Sequence, residues 1–417
     1  VRETFKPVKE RKGITFHTQI NRNSKSTWNL IANYRKVRIL NDSVISAETP
    51  DQHVSARIEN RSVLFDGIAR TTTFYEVTTG LESKKDYAYL EVEKGQGNYV
   101  WIDRNENGIK EINEFEISPI ASEGDHIRMF IPTDEYISVY ANQFKQSVNV
   151  NFRKFSTSKK RGLRILAMFS DQLSFAVNRK VGNKKFSTYA NPFLLNDNDS
   201  TLIATSQSIR NVFSFNKIHP KFGADFIYMR NIGKTLLTNG FEGRGQEQFE
   251  LQLRWNMTRY ITLLNNISTS EKSKTTEFFT ANNYTISNQK ADNVLRIQPA
   301  SAYRFELKYT FDKKDNRRGS EMAIHHDGGL GFNYATAQKS TLELSAHYID
   351  VKFRGEGNNS LTYELLNGLQ KGANYTWEMQ WNRQLAKNFQ MSISYNGRAG
   401  EAIKTIHIGT MRVRAMF

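Results

Sequence analysis

The chain predicts an all-β protein, a transmembrane antiparallel β-barrel of roughly 14 to 18 strands with a small rim insertion. Three observations carry that prediction: long segments of strict apolar/polar alternation, no apolar run long enough for a membrane helix, and a final alternating strand that stops on an aromatic residue. The alternation comes first. Phe249, Leu251, Leu253, Trp255 and Met257 alternate with Glu250, Gln252, Arg254 and Asn256, and Tyr303, Phe305, Leu307, Tyr309 and Phe311 with Arg304, Glu306, Lys308, Thr310 and Asp312. Tyr375, Trp377, Met379 and Trp381 repeat the pattern, as do Phe389, Met391, Ile393 and Tyr395. Such segments exceed the usual globular strand and approach the ~10 residues that a tilted strand needs to cross a bilayer.

The last strand supplies the second signal. Met411, Val413, Ala415 and Phe417 form an apolar set and Thr410, Arg412 and Arg414 a polar one, which suits a strand with lipid on one side and a watery lumen on the other. Composition agrees. Cysteine is absent, which fits an envelope protein and many cytoplasmic ones alike; aromatics are plentiful (27 Phe, 18 Tyr, 5 Trp) and Pro is scarce at 7, as expected for a strand-rich chain with aromatic girdles. A mean hydropathy of −0.60 is compatible with a barrel, in which only alternate residues of the spanning band are apolar. The start Val1-Arg2-Glu3-Thr4 reads as a mature or truncated end, with export signals expected upstream.

The net charge of +16 is spread over turn clusters such as Lys159-Lys160-Arg161 and Lys313-Lys314 with Arg317-Arg318. These fit contact with outer-membrane lipid and lipopolysaccharide phosphates, or an anion-attracting pore. No recognition helix, stacking platform or zinc pattern accompanies the charge, so nucleic acid is not an expected partner.

Strands are expected over most of the chain, with barrel strands in 1–93 and 136–417 and an insertion at 94–135 that is acidic, Gly-containing and poorly alternating. Expected strands include 163–170, 276–287, 293–312 and 362–382; tight turns are expected at 258–259 and 385–387, and long ones around 181–207, 270–276 and 355–361. The change of apolar phase at Tyr348-Ile349 predicts a β-bulge or a strand leaving the membrane.

One motif carries chemistry. Asp103-Arg104-Asn105-Glu106-Asn107-Gly108-Ile109-Lys110-Glu111-Ile112-Asn113-Glu114 matches the D-x-[DN]-x-[DN]-G-x5-E calcium loop. Side chains of Asp103, Asn105 and Asn107 can converge on a hard cation because Gly108 permits the sharp turn; Ile109 would add its carbonyl, Glu111 a water-mediated contact and Glu114 a bidentate carboxylate. A strand-like Tyr99-Val100-Trp101-Ile102 precedes it, so a full helix-loop-helix is not expected, and the ion would be a staple for the rim. His325-His326-Asp327 is not a metal or hydrolase site on this reading, because His325 and His326 point to opposite faces of a strand. Gly328-Gly329-Leu330-Gly331 lies inside a strand pattern and marks a kink or close approach, with no phosphate cradle. No catalytic residue is assigned.

The phrases Gly95-Gln96-Gly97-Asn98-Tyr99-Val100-Trp101-Ile102-Asp103, Asn113-Glu114-Phe115 and Tyr136 to Phe144 resemble large outer-membrane proteins of Bacteroidota. So does the ending from Leu365-Leu366-Asn367-Gly368-Leu369 through Arg412-Val413-Arg414-Ala415-Met416-Phe417. The resemblance implies a Gram-negative outer membrane and a longer parent chain, and it transfers no catalytic residue. Members of this group are mostly of unassigned function, and by analogy proteins of this kind can accompany multi-subunit envelope machines for secretion or barrel assembly. The expected function is therefore a structural or transport-related barrel, a subunit of a larger envelope complex; a stand-alone anion-preferring porin and an outer-membrane hydrolase are the alternatives.

Overall fold

Alternating side chains are realised as pleated backbone. In a computed structural model, residues 8–415 are described except 23–24, 41–51, 183–184, 195–200, 239, 337–338, 356–358, 387 and 402. The strands are, in chain order, β1 (Lys9–Arg22), β2 (Ser26–Ile39), β3 (Gln52–Leu64), β4 (Ala69–Glu91), β5 (Tyr99–Trp101), β6 (Phe115–Ile117), β7 (His126–Asn151), β8 (Phe169–Val181), β9 (Leu202–Phe215) and β10 (Phe222–Leu237). They continue with β11 (Gly240–Asn256), β12 (Ile261–Thr276), β13 (Tyr284–Ala300), β14 (Tyr303–Asn316), β15 (Met322–Thr336), β16 (Ser340–Arg354), β17 (Gly372–Ala386), β18 (Phe389–Gly400) and β19 (Ile403–Ala415). Three short helices interrupt them: α1 (Arg161–Leu166), α2 (Phe186–Tyr189) and α3 (Ser360–Leu366). No described helix is long and apolar enough to cross a membrane.

The protein is all-β and antiparallel, and its nineteen described strands exceed the expected fourteen to eighteen. Two of them, β5 and β6, are three-residue strands inside the insertion. Two stretches expected as strand are helical. Residues 161–166 form α1, and 360–366 form α3, where the Asn359 side chain caps the Thr362 amide at 2.8 Å and Asn367 closes the helix with φ 54°. The turn expected at 270–276 is instead the end of β12, and the segment expected as one strand over 293–312 is divided by a turn at 301–302. Ordered strand also reaches into 94–135, since β7 begins at His126.

The chain forms two units: Val1–Asp86, Ile131–Phe213 and Tyr228–Gly245 in one, and Tyr87–Phe130, Ser214–Ile227 and Gln246–Phe417 in the other. In the first unit β1 pairs with β2, β2 with β3 and β3 with β4. Registers such as Ile14 opposite Tyr34, Ile20 opposite Trp28 and Tyr34 opposite Val54 put these apolar residues on one exposed face. The opposite face is polar, with His17, Asn29 and Glu59 joined by hydrogen bonds of 2.7 and 3.3 Å. Where β7 pairs with β8, the loop around α2 folds over the sheet. Phe193 packs on Phe144 and Phe175 at 5.3 and 6.1 Å, and the Tyr75 hydroxyl donates to the Ala190 carbonyl.

In the second unit β12 to β19 each pair with the next strand, and the registers preserve one phase except at shifts near strand ends, between Ile297 and Ala300, Gln384 and Ala386, and Arg398 and Gly400. Leu307, Leu330, Ala346, Trp377 and Gly397 are opposite one another in turn; one step along, so are Phe305, Phe332, Leu344, Met379 and Tyr395. Tyr309 leads through Gly328 to Tyr348 and Tyr375 at one end of this field, while Tyr303, Tyr334, Leu342 and Trp381 bound the other. Trp255, also expected on an apolar face, is exposed; Phe417 lies outside the described residues.

Pairing continues unbroken through Tyr348 and Ile349, so the phase change there is not a bulge. Beyond it, the otherwise polar face becomes apolar. Val351 is buried, and Phe353 joins Tyr284, Ile286, Ala323, Leu361 and Leu365 in a small core under α3. Phe353 thus serves helix docking, while Ile349 lines the cavity described below.

Candidate functional site

The insertion and the α3 loop meet the polar face of the second unit, and that junction is the most elaborate polar construction among the described residues. It begins with local backbone. Within the insertion Tyr99 and Trp101 pair with Ile117 and Phe115, and Gly97 and Gly124 cross so closely that a Cβ at Gly124 would collide with the Gly97 carbonyl. Tyr89 stacks on Phe115 at 4.0 Å, which fixes the insertion to the end of β4.

Ion pairs then fasten these segments to the strands. The Glu116 carboxylate receives Arg104 at 2.7 Å and Lys274 of β12 at 3.3 Å; Lys274 also donates to Ser360 at 3.1 Å. Glu116, Lys274 and Ser360 are all buried, so each charge depends on its partner for solvation. Lys272 reaches Glu364 at 2.6 Å, and Lys314 of β14 donates to the Glu364 carbonyl at 2.9 Å and to Asn367 at 2.5 Å. Burial pushes the Glu364 carboxyl up, but Lys272 and Lys314 outweigh it and hold it below its ordinary value. On β18, Arg398 pairs with Glu123 at 2.5 Å and donates to the Gly368 carbonyl at 2.9 Å. Here burial prevails over Arg398, and the Glu123 carboxyl is raised.

Beside this junction lies a cavity of about 1050 Å³, walled by insertion residues such as Lys94 and Glu123 and by Ser345, His347, Glu378, Gln380, Asn396 and Arg412. Arg412, in the polar set of the last strand, is expected to face a watery lumen. Registers place Glu378 with Asn396, and Arg412 with Ser392, on the face opposite Trp381 and Val413.

The calcium-motif residues divide into two groups. Asp103, Asn105 and Asn107 turn their oxygens to one loop interior: Asp103 accepts from the Asn107 and Gly108 amides at 3.2 and 2.8 Å, Asn105 from the Asn107 amide at 3.1 Å, and Asn107 from the Ile109 amide at 2.6 Å. Gly108 has φ 71°, the turn that the motif demands. Glu111 accepts from the Asn105 side-chain amide at 3.3 Å. Glu114 is buried and anchored separately, accepting from the Arg104 amide at 3.1 Å and the Trp101 indole at 2.9 Å. A carboxylate with two acceptor bonds keeps lone pairs for a cation, so the donor set fits a hard ion in kind. Among the described residues no group of three or more His, Cys, Asp or Glu could hold a metal; two Asn side chains and a carbonyl, which such a group would not include, make up much of this motif.

The histidine pair separates as strand geometry requires. His325 is buried toward α3, whereas His326 on the other face bonds the Tyr309 hydroxyl at 3.0 Å. Asp327 accepts from His347 at 2.8 Å, and the described hydrogen bonds of that ring extend to no hydroxyl nucleophile. The sequence reading missed Glu116, Lys272, Lys274 and Lys314 as a set. The signal was the run Asn359-Ser360-Leu361-Thr362-Tyr363-Glu364-Leu365-Leu366-Asn367-Gly368, which carries a helix cap at each end.

No family model and no curated protein matches the chain. Among solved structures it is similar to the FrpB iron transporter from Neisseria meningitidis, with 8% identity, 96% of this chain and 61% of that one covered, and a TM-score of 0.44. The open form of the ferric-catecholate import receptor Fiu from E. coli K12 gives 9% identity, coverage of 94% and 64%, and a TM-score of 0.40. FpvAI, in its complex with pyocin S2, gives 11%, coverage of 95% and 54%, and 0.41. The chain thus spans less than two thirds of the length of these structures.

Proposed function

We propose that the chain is a closed outer-membrane β-barrel of a Gram-negative bacterium with a structural or transport role, acting as a subunit of a larger envelope complex for secretion or outer-membrane assembly. The observation that carries this reading is the register-locked apolar face of β14 to β19. Leu307, Leu330, Met411 and Val413 on it are 56–63% exposed, and aromatic residues bound the field at both ends. An exposed apolar surface this continuous needs a nonaqueous partner, and lipid satisfies every strand at once. The resemblance quoted above supports a Bacteroidota origin, and the cationic turns support contact with lipid and lipopolysaccharide phosphates.

The insertion and α3, ion-paired to the polar face of the second unit, favour a complex subunit over a stand-alone porin, because they cover part of that face. A catalytic role has no support in the Asp327–His347 pair alone, and the reading is non-enzymatic. We propose calcium at Asp103, Asn105, Asn107, Ile109, Glu111 and Glu114, as a staple of the insertion. Mild-detergent co-purification combined with planar-bilayer recording tests the assignment. Stoichiometric protein partners and no steady open-pore current are expected; a partnerless protein with a steady anion-selective current would establish the porin alternative.

A further inference from the structure

We infer that the loop joining β7 to β8, residues 152–168, is a docking surface for the headgroups of anionic phospholipids in the leaflet nearest the tight turns. This rests on the membrane reading above. The loop contains Arg153, Lys154, Lys159, Lys160, Arg161 and Arg164 and no acidic residue, and all six cations are exposed. Lys154 lies 3.6 Å from Asp66; among the described residues the other five pair with no carboxylate.

Its position is fixed by neighbouring turns of the same unit. The Asn151 amide donates to the Ile68 carbonyl at 2.8 Å, and Asp66 binds both Lys154 and Lys25, which precedes β2. The loop therefore shares the strand ends that carry the β1–β2 and β3–β4 turns, while the insertion leaves from the opposite ends of β4 and β7. Ile165, Leu166 and Met168 are exposed immediately before β8, whose first residue, Phe169, stacks on the exposed Phe213 at 5.6 Å. Apolar side chains beside cations at the end of a spanning strand form an interfacial segment: the apolar groups enter the acyl boundary and the cations reach phosphates. Three exposed large apolar side chains on one short loop are too few for the ~800 Å² that a stable protein partner needs on each side.

The absence of cysteine makes a single-site label possible. Full-length Ile165→Cys carrying an environment-sensitive dye would be reconstituted in phosphatidylcholine vesicles with and without phosphatidylglycerol. Expected are blue-shifted emission and quenching by a headgroup-region nitroxide lipid when phosphatidylglycerol is present, both reversed by high salt. Replacing Lys159, Lys160, Arg161 and Arg164 by Gln should weaken the phosphatidylglycerol preference roughly tenfold or more; salt and lipid composition give the same readout without those substitutions. A label that stays in water in both vesicles, or becomes shielded only on adding an acidic protein, overturns the docking. Leu307→Cys, read with acyl-chain nitroxides, separates the two readings: quenched there with Ile165 in water removes the docking alone, and unquenched there removes the membrane reading with it.

Discussion

Replacing Leu307 by Arg places a charge at the middle of the apolar face. The residue has Phe305 and Tyr309 on its own strand and Leu295 and Leu330 directly opposite on the neighbours, and it is 56% exposed. If that exposure were to water, the substitution would fall within about 0.5 kcal/mol, as exposed positions do. Facing lipid, Arg costs about 2–4 kcal/mol near the bilayer midplane. At 1.4 kcal/mol per decade this is about a 30- to 700-fold loss in the folding equilibrium. Gln380→Arg is the matched control, since Gln380 lies on the polar face opposite Glu343 and beside the cavity. Urea titration of vesicle-folded protein, followed by heat-modifiable migration, reads both. A neutral Leu307→Arg, or equal losses in the two variants, would refute the facial assignment.

Other perturbations probe the covered polar face. Lys274→Met leaves the buried Glu116 with Arg104 as its remaining cation and should cost about 3–5 kcal/mol, with hydrogen exchange rising in 95–125 and 360–366 while β14 and β15 stay protected. Because Glu364 is held below its ordinary 4.5, its ion pairs contribute fully above that pH and are lost as pH falls through the lower folded-state value. Exchange of 360–366, corrected for intrinsic rates, should accelerate on acidification in the native chain, and Glu364→Gln should abolish that dependence. Removing calcium with a chelator should loosen residues 95–135 and leave the other strands unchanged, with Asp103→Ala insensitive to the chelator; identical protection with and without calcium would return the motif to an ordinary Asx-rich turn.

Strands were legible because period 2 is enforced by the pleat: Tyr303 to Phe311 reads the same in sequence and in register. Where side chains pack against something other than lipid or water, the pattern changes meaning. Ile349, Val351 and Phe353 suggested a bulge because two explanations share one signature, and only unbroken pairing, with Phe353 packed in the core under α3, distinguishes them. The α3 helix was obscured by Tyr363 and the leucines, although Asn359 and Asn367-Gly368 marked its ends. Glu116 and Lys274 meet across 158 residues of sequence, so no local pattern announces their pairing. The turn of Asp103 to Ile109 was legible because its hydrogen bonds span two to five residues, whereas those of Glu114 span ten and thirteen.

The central claim is that one face of these strands meets lipid and the other does not. Single cysteines placed in turn at positions 303–311, in full-length protein folded into vesicles, test it most directly through quenching by acyl-chain nitroxide lipids and labelling by a water-soluble maleimide. The account predicts strict alternation: quenching at 303, 305, 307, 309 and 311, with little at 304, 306, 308, 310. Uniform maleimide labelling with no quenching at 305, 307 and 309, or quenching without period 2, would contradict it.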